Sequence, residues 1–167
     1  MEIDVINFHY NFHVHRHYFE CHDILEEYWK AQPHFSKNDA VVSLILFSTA
    51  CYHYRRENIK GALKTFDKSL QIAILNPSFE HLGVERETYI SEIQSQILKI
   101  NQNKKYKSVQ LPLTDECLYA LNQTFTDFEY HTLTDVSDYI KHHHLLRDRT
   151  EVIEQRNAAY LNRRSKR

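Results

Sequence analysis

Two glycines and three prolines in 167 residues constrain this chain more than any motif it carries. Hairpin turns draw on residues that tolerate positive φ or preset a bend, and an all-β fold needs many of them. Gly61, Gly83, Pro33, Pro77 and Pro112 are too few for that. The sequence therefore predicts an all-α fold, an antiparallel helical bundle with a C-terminal helical extension. The same scarcity excludes phosphate-cradling GxGxxG and GxxxxGK[ST] loops, because neither can be built without closely spaced glycines. A chain of this length buries roughly two-thirds of its unfolded surface, so neither a disulfide nor a metal is needed for folding itself.

Caps and prolines mark out the expected helices. The first, about 15–31, puts Tyr18, His22, Leu25, Glu26 and Trp29 on one face and is ended by Pro33. Ser36 to Asp39 offers N-cap chemistry for a second, about 39–56, which is apolar nearly all the way round and so belongs at the centre. Asn58 caps a third helix that Pro77 stops after Asn76, and a fourth, about 85–101, carries Tyr89, Ile93, Ile97 and Ile100. Residues 1–102 are thus expected to form a four-helix core. Residues 103–167 are expected to be a linker, within the stretch NQNKKYKSVQLPL that starts at Asn101, plus a C-terminal helical extension. Helix starts are predicted at Thr114 and near Thr134 and Asp135, and a charged amphipathic helix from about Leu146 ends in the basic tail RRSKR.

A formal charge of -1 offers no global reason to expect nucleic acid or an anionic membrane as partner; any such contact would be local. Cys21, Cys51 and Cys117 are odd in number and far apart, which argues against a disulfide framework or a thiolate zinc site and for a reducing, cytoplasmic setting. The longest apolar run, 40–51, is too short to span a bilayer, and the first residues do not read as a secretory signal. The expectation is a soluble, cytoplasmic protein.

The segments YFECHDILEEYW and YHYRRENIKGA resemble the bacterial and archaeal domain of unknown function family number 309, over about residues 12–75. The family pattern is an aromatic-rich HE-x-LE-x-x-W helix, then an apolar helix ending in YH and followed by N-x-x-GA. Its positions here are His22, Asp23, Leu25, Glu26 and Trp29, then Tyr52, His53, Asn58, Gly61 and Ala62. Asp23 stands where the pattern has glutamate. The pattern's QG-L-I-Q stretch is replaced by Val42, Ser43, Leu44, Ile45 and Leu46, removing two amides from the second helix. The resemblance implies a compact helical fold and carries no established activity.

The residues themselves point to one candidate functional site: His22, Glu26, Trp29, Tyr52, His53, Asn58 and Gly61. His22 and Glu26 are four apart on an apolar face, so they can meet each other or one ligand. With His53 as a third ligand, two nitrogens and an oxygen suit a divalent metal such as zinc with an open position. The alternative is a His–Glu hydrogen bond that stitches helices together beneath Trp29. A hairpin about the 33–38 loop sets His22 level with Ser48 and His53 level with His17, which leaves a gap of roughly 7 Å for a three-ligand site. Gly61, level with His53 across the next turn, suggests close approach of the third helix there. His13, His15 and His17 read as surface residues, and His142 to His144 fan out around a helix.

Two functions follow as expectations. The main one is a non-catalytic binding or interaction module with a buried His/Glu network, with a protein partner reached through the C-terminal helix. The alternative is a small metal-dependent hydrolase using His22, Glu26 and His53. The segment 50–70 looks like a single tetratricopeptide-type helix pair, but Gln96 stands where Ala62 should recur, so no solenoid is expected. Homo-oligomers remain compatible with the sequence.

Overall fold

The computed structural model describes residues 1–129 and 135–146. The expected charged C-terminal helix beyond Leu146, the RRSKR tail and the predicted start at Thr134 lie outside the described residues. Within them the chain forms α1 (Ile3–Tyr10), a π-helical turn (Asn11–His15), α2 (Tyr18–Lys30), α3 (Ala40–Arg55) and α4 (Ile59–Leu75). A short 3-10 turn (Glu80–Leu82), α5 (Arg86–Asn101), α6 (Asp115–Thr124) and α7 (Asp138–Leu146) follow. The architecture is an all-α bundle in which α3 is central, packed against α2 on one side and α4 on the other, with α5 beyond α4.

The caps explain the boundaries. Asn58 Oδ1 accepts from the Gly61 amide at 3.1 Å, and Thr114 Oγ1 accepts from the Cys117 amide at 3.2 Å, each satisfying a donor at a helix start. Asp39 is the N-cap residue of α3 but does not cap with its side chain. Its carboxylate instead accepts from the Ser36 amide at 2.7 Å and from Trp29 Nε1 at 2.9 Å, tying the α2–α3 loop to the end of α2. The caps of α4 and α6 therefore obey local rules, while that of α3 yields to a tertiary contact.

Two buried networks fix how the helices meet. Ser43 Oγ donates to the Ser69 carbonyl and Ser69 Oγ donates to the Ser43 carbonyl, both at 2.8 Å, so α3 and α4 are laced at their point of contact. With both serine protons committed, Tyr89 of α5 supplies its own hydroxyl proton to the pair, at 3.0 and 3.2 Å. Above this lace Phe47 meets Phe12, Phe66 and Tyr89 with ring centroids 6.0, 5.4 and 5.4 Å apart. Satisfied hydroxyls and aromatic edges together select one register among the many that an apolar α3 would allow.

The N-terminal segment is part of this core. Val5, Phe8 and Phe12 are fully buried, and His9 Nε2 donates to the Leu82 carbonyl at 2.7 Å. Spacing of three and four between these apolar residues is a helical signal that a reading centred on residues 15–31 overlooks. The expected first helix is accordingly shorter, beginning at Tyr18, because Arg16 adopts a left-handed conformation (φ 53) that separates it from the π turn. Left-handed geometry costs a non-glycine residue roughly 1–2 kcal/mol. Arg16 is 1% exposed, and its Nη1 donates to the Phe12 and Val109 carbonyls, contacts that offset the strain.

Beyond residue 102 the chain is extended as expected, and it is also built into the same core. Val109, Leu111, Leu113, Cys117, Leu121 and Phe128 join the buried cluster formed by the earlier helices. A single antiparallel bridge pairs Val84 with Leu113, and the Thr114 amide donates to the Gly83 carbonyl at 3.0 Å. The hydrophobic core thus runs across the boundary expected at 102.

Candidate functional site

α2 and α3 cross so that Tyr18, Phe19, His22, Thr49, Tyr52 and His53 line one cleft of about 200 Å³. The gap estimated from the hairpin is closed by the aromatic side chains, since Phe19 packs against Tyr52 at 5.8 Å and lies stacked with His22 at 6.2 Å. Tyr52 is 4% exposed, with the Arg56 guanidinium over its ring at 5.3 Å. α7 forms a neighbouring wall. His143 stacks on Phe19 at 5.1 Å and accepts a hydrogen bond at Nδ1 from His17 Nε2 at 3.0 Å.

That His17 bond defines a proton arrangement. His17 Nδ1 caps α2 by accepting from the Glu20 amide at 3.1 Å, so the ring's single proton sits on Nε2 and faces His143. Burial, then the neighbouring His143 and Arg55, push the His17 pKa down to about 4. His53 is oriented in a similar way. The Asn58 amide nitrogen donates to His53 Nδ1 at 3.1 Å while its oxygen caps Gly61, which leaves the His53 proton on Nε2. Burial, with Arg56 second, also lowers the His53 pKa. Both imidazoles are neutral near pH 7.

Gly61 has a different purpose from the one its register suggests. A Cβ there would come within 2.6 Å of Asn58 Nδ2, and no atom of the α3 helix is among the nearest obstacles. The glycine leaves room for the Asn58 side chain, and through it for the hold on His53.

The other candidate residues separate from the cleft. Glu26 does not line it; its carboxylate pairs with Lys30 Nζ at 3.0 Å along the exposed side of α2. His22 Nδ1 lies 2.9 Å from Asp23 Oδ1 instead of bonding Glu26. Trp29 sits at the far end of α2, edge-on to Phe35 at 5.0 Å and hydrogen-bonded to Asp39, so it braces the α2–α3 loop and not the His22 pair. Among the described residues, the group with metal-ligand proximity is His22, Asp23 and Glu26, whose ligand atoms lie within 4.8 Å of one another. His53 is not in that group.

The matching sequence model spans residues 5–65 and is the one described as "Domain of unknown function (DUF309)". A relative in Bacillus subtilis (strain 168), "Uncharacterized protein YpuF", is 34% identical over 163 residues, covering 93% of this chain and 92% of its own length. The chain belongs to the DUF309 family. No solved structure matches it. The DUF309 match begins at Val5 and thus takes in most of α1, the π turn and the buried His9 and His13, beyond the segment where the motifs lie. His13, expected at the surface, is fully buried, while His15 is exposed. The signal for His13 was its spacing of four from His9 and five from Tyr18 within an aromatic run, which needs α1 to be recognised first. No helix among the described residues is long and apolar enough to cross a membrane.

Proposed function

We propose that this DUF309 protein is a non-catalytic interaction module that receives an apolar side chain of a protein partner in the cleft between α2 and α3. The observation that carries this reading is the cleft's size and lining. Metabolite sites usually enclose about 300–1,000 Å³, and about 200 Å³ walled by Tyr18, Phe19 and Tyr52 suits one side chain. Two of the hydroxyls in its lining are already engaged: Thr49 Oγ1 donates to the Ile45 carbonyl at 2.8 Å, and Tyr18 accepts from Tyr106. Those bonds run to a carbonyl and to a phenol, not to the His22 or His53 imidazole that would activate a nucleophile. A reducing cytoplasm belongs to the same proposal, supported by three buried free thiols.

N-acetyl-phenylalaninamide is the minimal probe. Burying one aromatic side chain is worth about 1.5–3 kcal/mol, so the expected affinity is weak, on the order of millimolar or weaker. Saturable NMR shifts confined to the His22, His53 and Thr49 region are expected, and Thr49→Phe should abolish them while leaving the circular dichroism unchanged. Shifts that persist in Thr49→Phe, or none at all, would remove the cleft from consideration.

A second reading, the small metal-dependent hydrolase, draws on the proximity of His22, Asp23 and Glu26. There a divalent ion such as zinc would have one nitrogen and two carboxylate ligands on a half-buried helix face, with Lys30 displaced from Glu26. On the interaction-module reading, calorimetric titration with zinc gives no stoichiometric site. A one-to-one site lost in both His22→Ala and Glu26→Gln, but kept in His53→Ala, would establish the metal reading in its place.

A further inference from the structure

The end of α5 and the extended chain after it enclose a groove of about 670 Å³ that shares no lining residue with the α2–α3 cleft. Among the described residues five cations line it, Arg16, Lys99, Lys104, Lys105 and Lys107, against a single carboxylate, Glu92. Glu92 is already engaged from its own helix, accepting from Gln96 Nε2 at 2.5 Å and facing Lys99 Nζ at 3.8 Å. Lys104, Lys105 and Lys107 are exposed, and no carboxylate among the described residues lies within 4.0 Å of them. In a chain of formal charge -1 this local excess of cations does not follow from composition; Lys104 and Lys105 also border an adjoining groove that holds Glu57, Asp135 and Asp138.

The lysines sit on a segment that is pinned down. The Tyr54 hydroxyl donates to the Lys104 carbonyl at 2.5 Å, Tyr106 turns inward and donates to Tyr18, and the Val109 carbonyl accepts from Arg16. With Tyr106 directed into the core, its extended neighbours Lys105 and Lys107 both face the groove. Arg16 beneath them is almost wholly buried, so its charge is poorly screened by salt and adds to the field that the lysines focus. Both the volume and the charge suit a compact anion. Lysine ammonium groups bind phosphates as point charges, and among the described residues no aromatic ring lines the groove to stack a base.

We propose that this groove binds a compact polyanion, a small molecule bearing two or more linked phosphate groups. The site is separate from the α2–α3 cleft and does not depend on its function.

The test titrates the full chain with sodium tripolyphosphate by calorimetry at about 0.15 M salt, near the physiological screening regime. The triple variant Lys104→Glu, Lys105→Glu, Lys107→Glu should lose at least about tenfold in affinity. A control with the same charge change on the exposed face of α4, Lys60→Glu, Lys64→Glu, Lys68→Glu, should stay within about twofold of the parent. Circular dichroism on both variants checks that each is folded. Absence of binding, equal losses in the two variants, or equal competition by sulfate at matched ionic strength would overturn the proposal. A short DNA duplex that binds more tightly than tripolyphosphate, with a steep salt dependence, would overturn it in favour of a nucleic-acid backbone.

Discussion

Acidification from pH 6.5 to about 4 should strip about 3 kcal/mol from folding stability through His9 alone. This histidine is fully buried; its Nε2–H donates to the Leu82 carbonyl, and its Nδ1 has no hydrogen-bond partner. Protonating Nδ1 would place a charge and an unmatched donor in the core, so desolvation lowers the folded-state pKa from 6.5 to about 4, the Leu82 bond opposing it weakly. The sign follows from linkage: between these two values the unfolded chain binds the proton and the folded chain does not. The stabilisation is complete above pH 6.5 and is lost as pH falls to about 4, at 1.36 kcal/mol per unit. His13, held well below its ordinary value by burial, His9 and Arg16, acts in the same direction. Urea unfolding at stepped pH checks the expectation. His9→Gln keeps a donor for Leu82 and removes the titration, so its stability should fall less steeply over that window; parallel curves for variant and parent would refute the assignment.

Gly83→Ala should destabilise the protein by about 2–4 kcal/mol, combining left-handed backbone strain with overpacking. Gly83 has φ +72, and a Cβ there would lie 2.6 Å from Cys117 Sγ and 2.8 Å from Cys117 Cβ. Relief is hard to find, because Cys117 is buried in the first turn of α6 and the Gly83 carbonyl holds the Thr114 amide. The denaturation midpoint reports the loss. The double variant Gly83→Ala, Cys117→Ala should recover part of the packing term while leaving the backbone term, so recovery to the parent value would show that φ contributes nothing. Loss in the single variant smaller than about 1 kcal/mol would mean that the Gly83–α6 junction is loose.

The candidate site was partly legible for a related reason. A spacing of four places His22 and Glu26 on neighbouring turns, but spacing says nothing about which partner each side chain prefers. Asp23 and Lys30, one and four residues away, took them instead. Tyr52 packs on Phe19, which in turn stacks with His22, and His53 lines the same cleft, an arrangement fixed by how α2 crosses α3. Asn58 was legible as a cap because capping is local, whereas its second bond to His53 depends on the left-handed turn at Glu57 (φ 59) that folds the chain back.

The sequence by itself determined the helical class, the terminations at Pro33 and Pro77, the caps at Asn58 and Thr114, and the central place of α3. Each of these rests on interactions within a few residues or on a periodicity along one element. Only the tertiary structure decided that α1 and residues 109–128 belong to the same core, that His9 and His13 are buried, and that lysines scattered over 99–107 face one groove with Arg16. Those outcomes depend on contacts between residues distant in sequence, such as His9 with Leu82 and Arg16 with Val109. Many chain registers satisfy the local rules equally well, and it is the close packing of side chains and the pairing of buried polar groups that single one out.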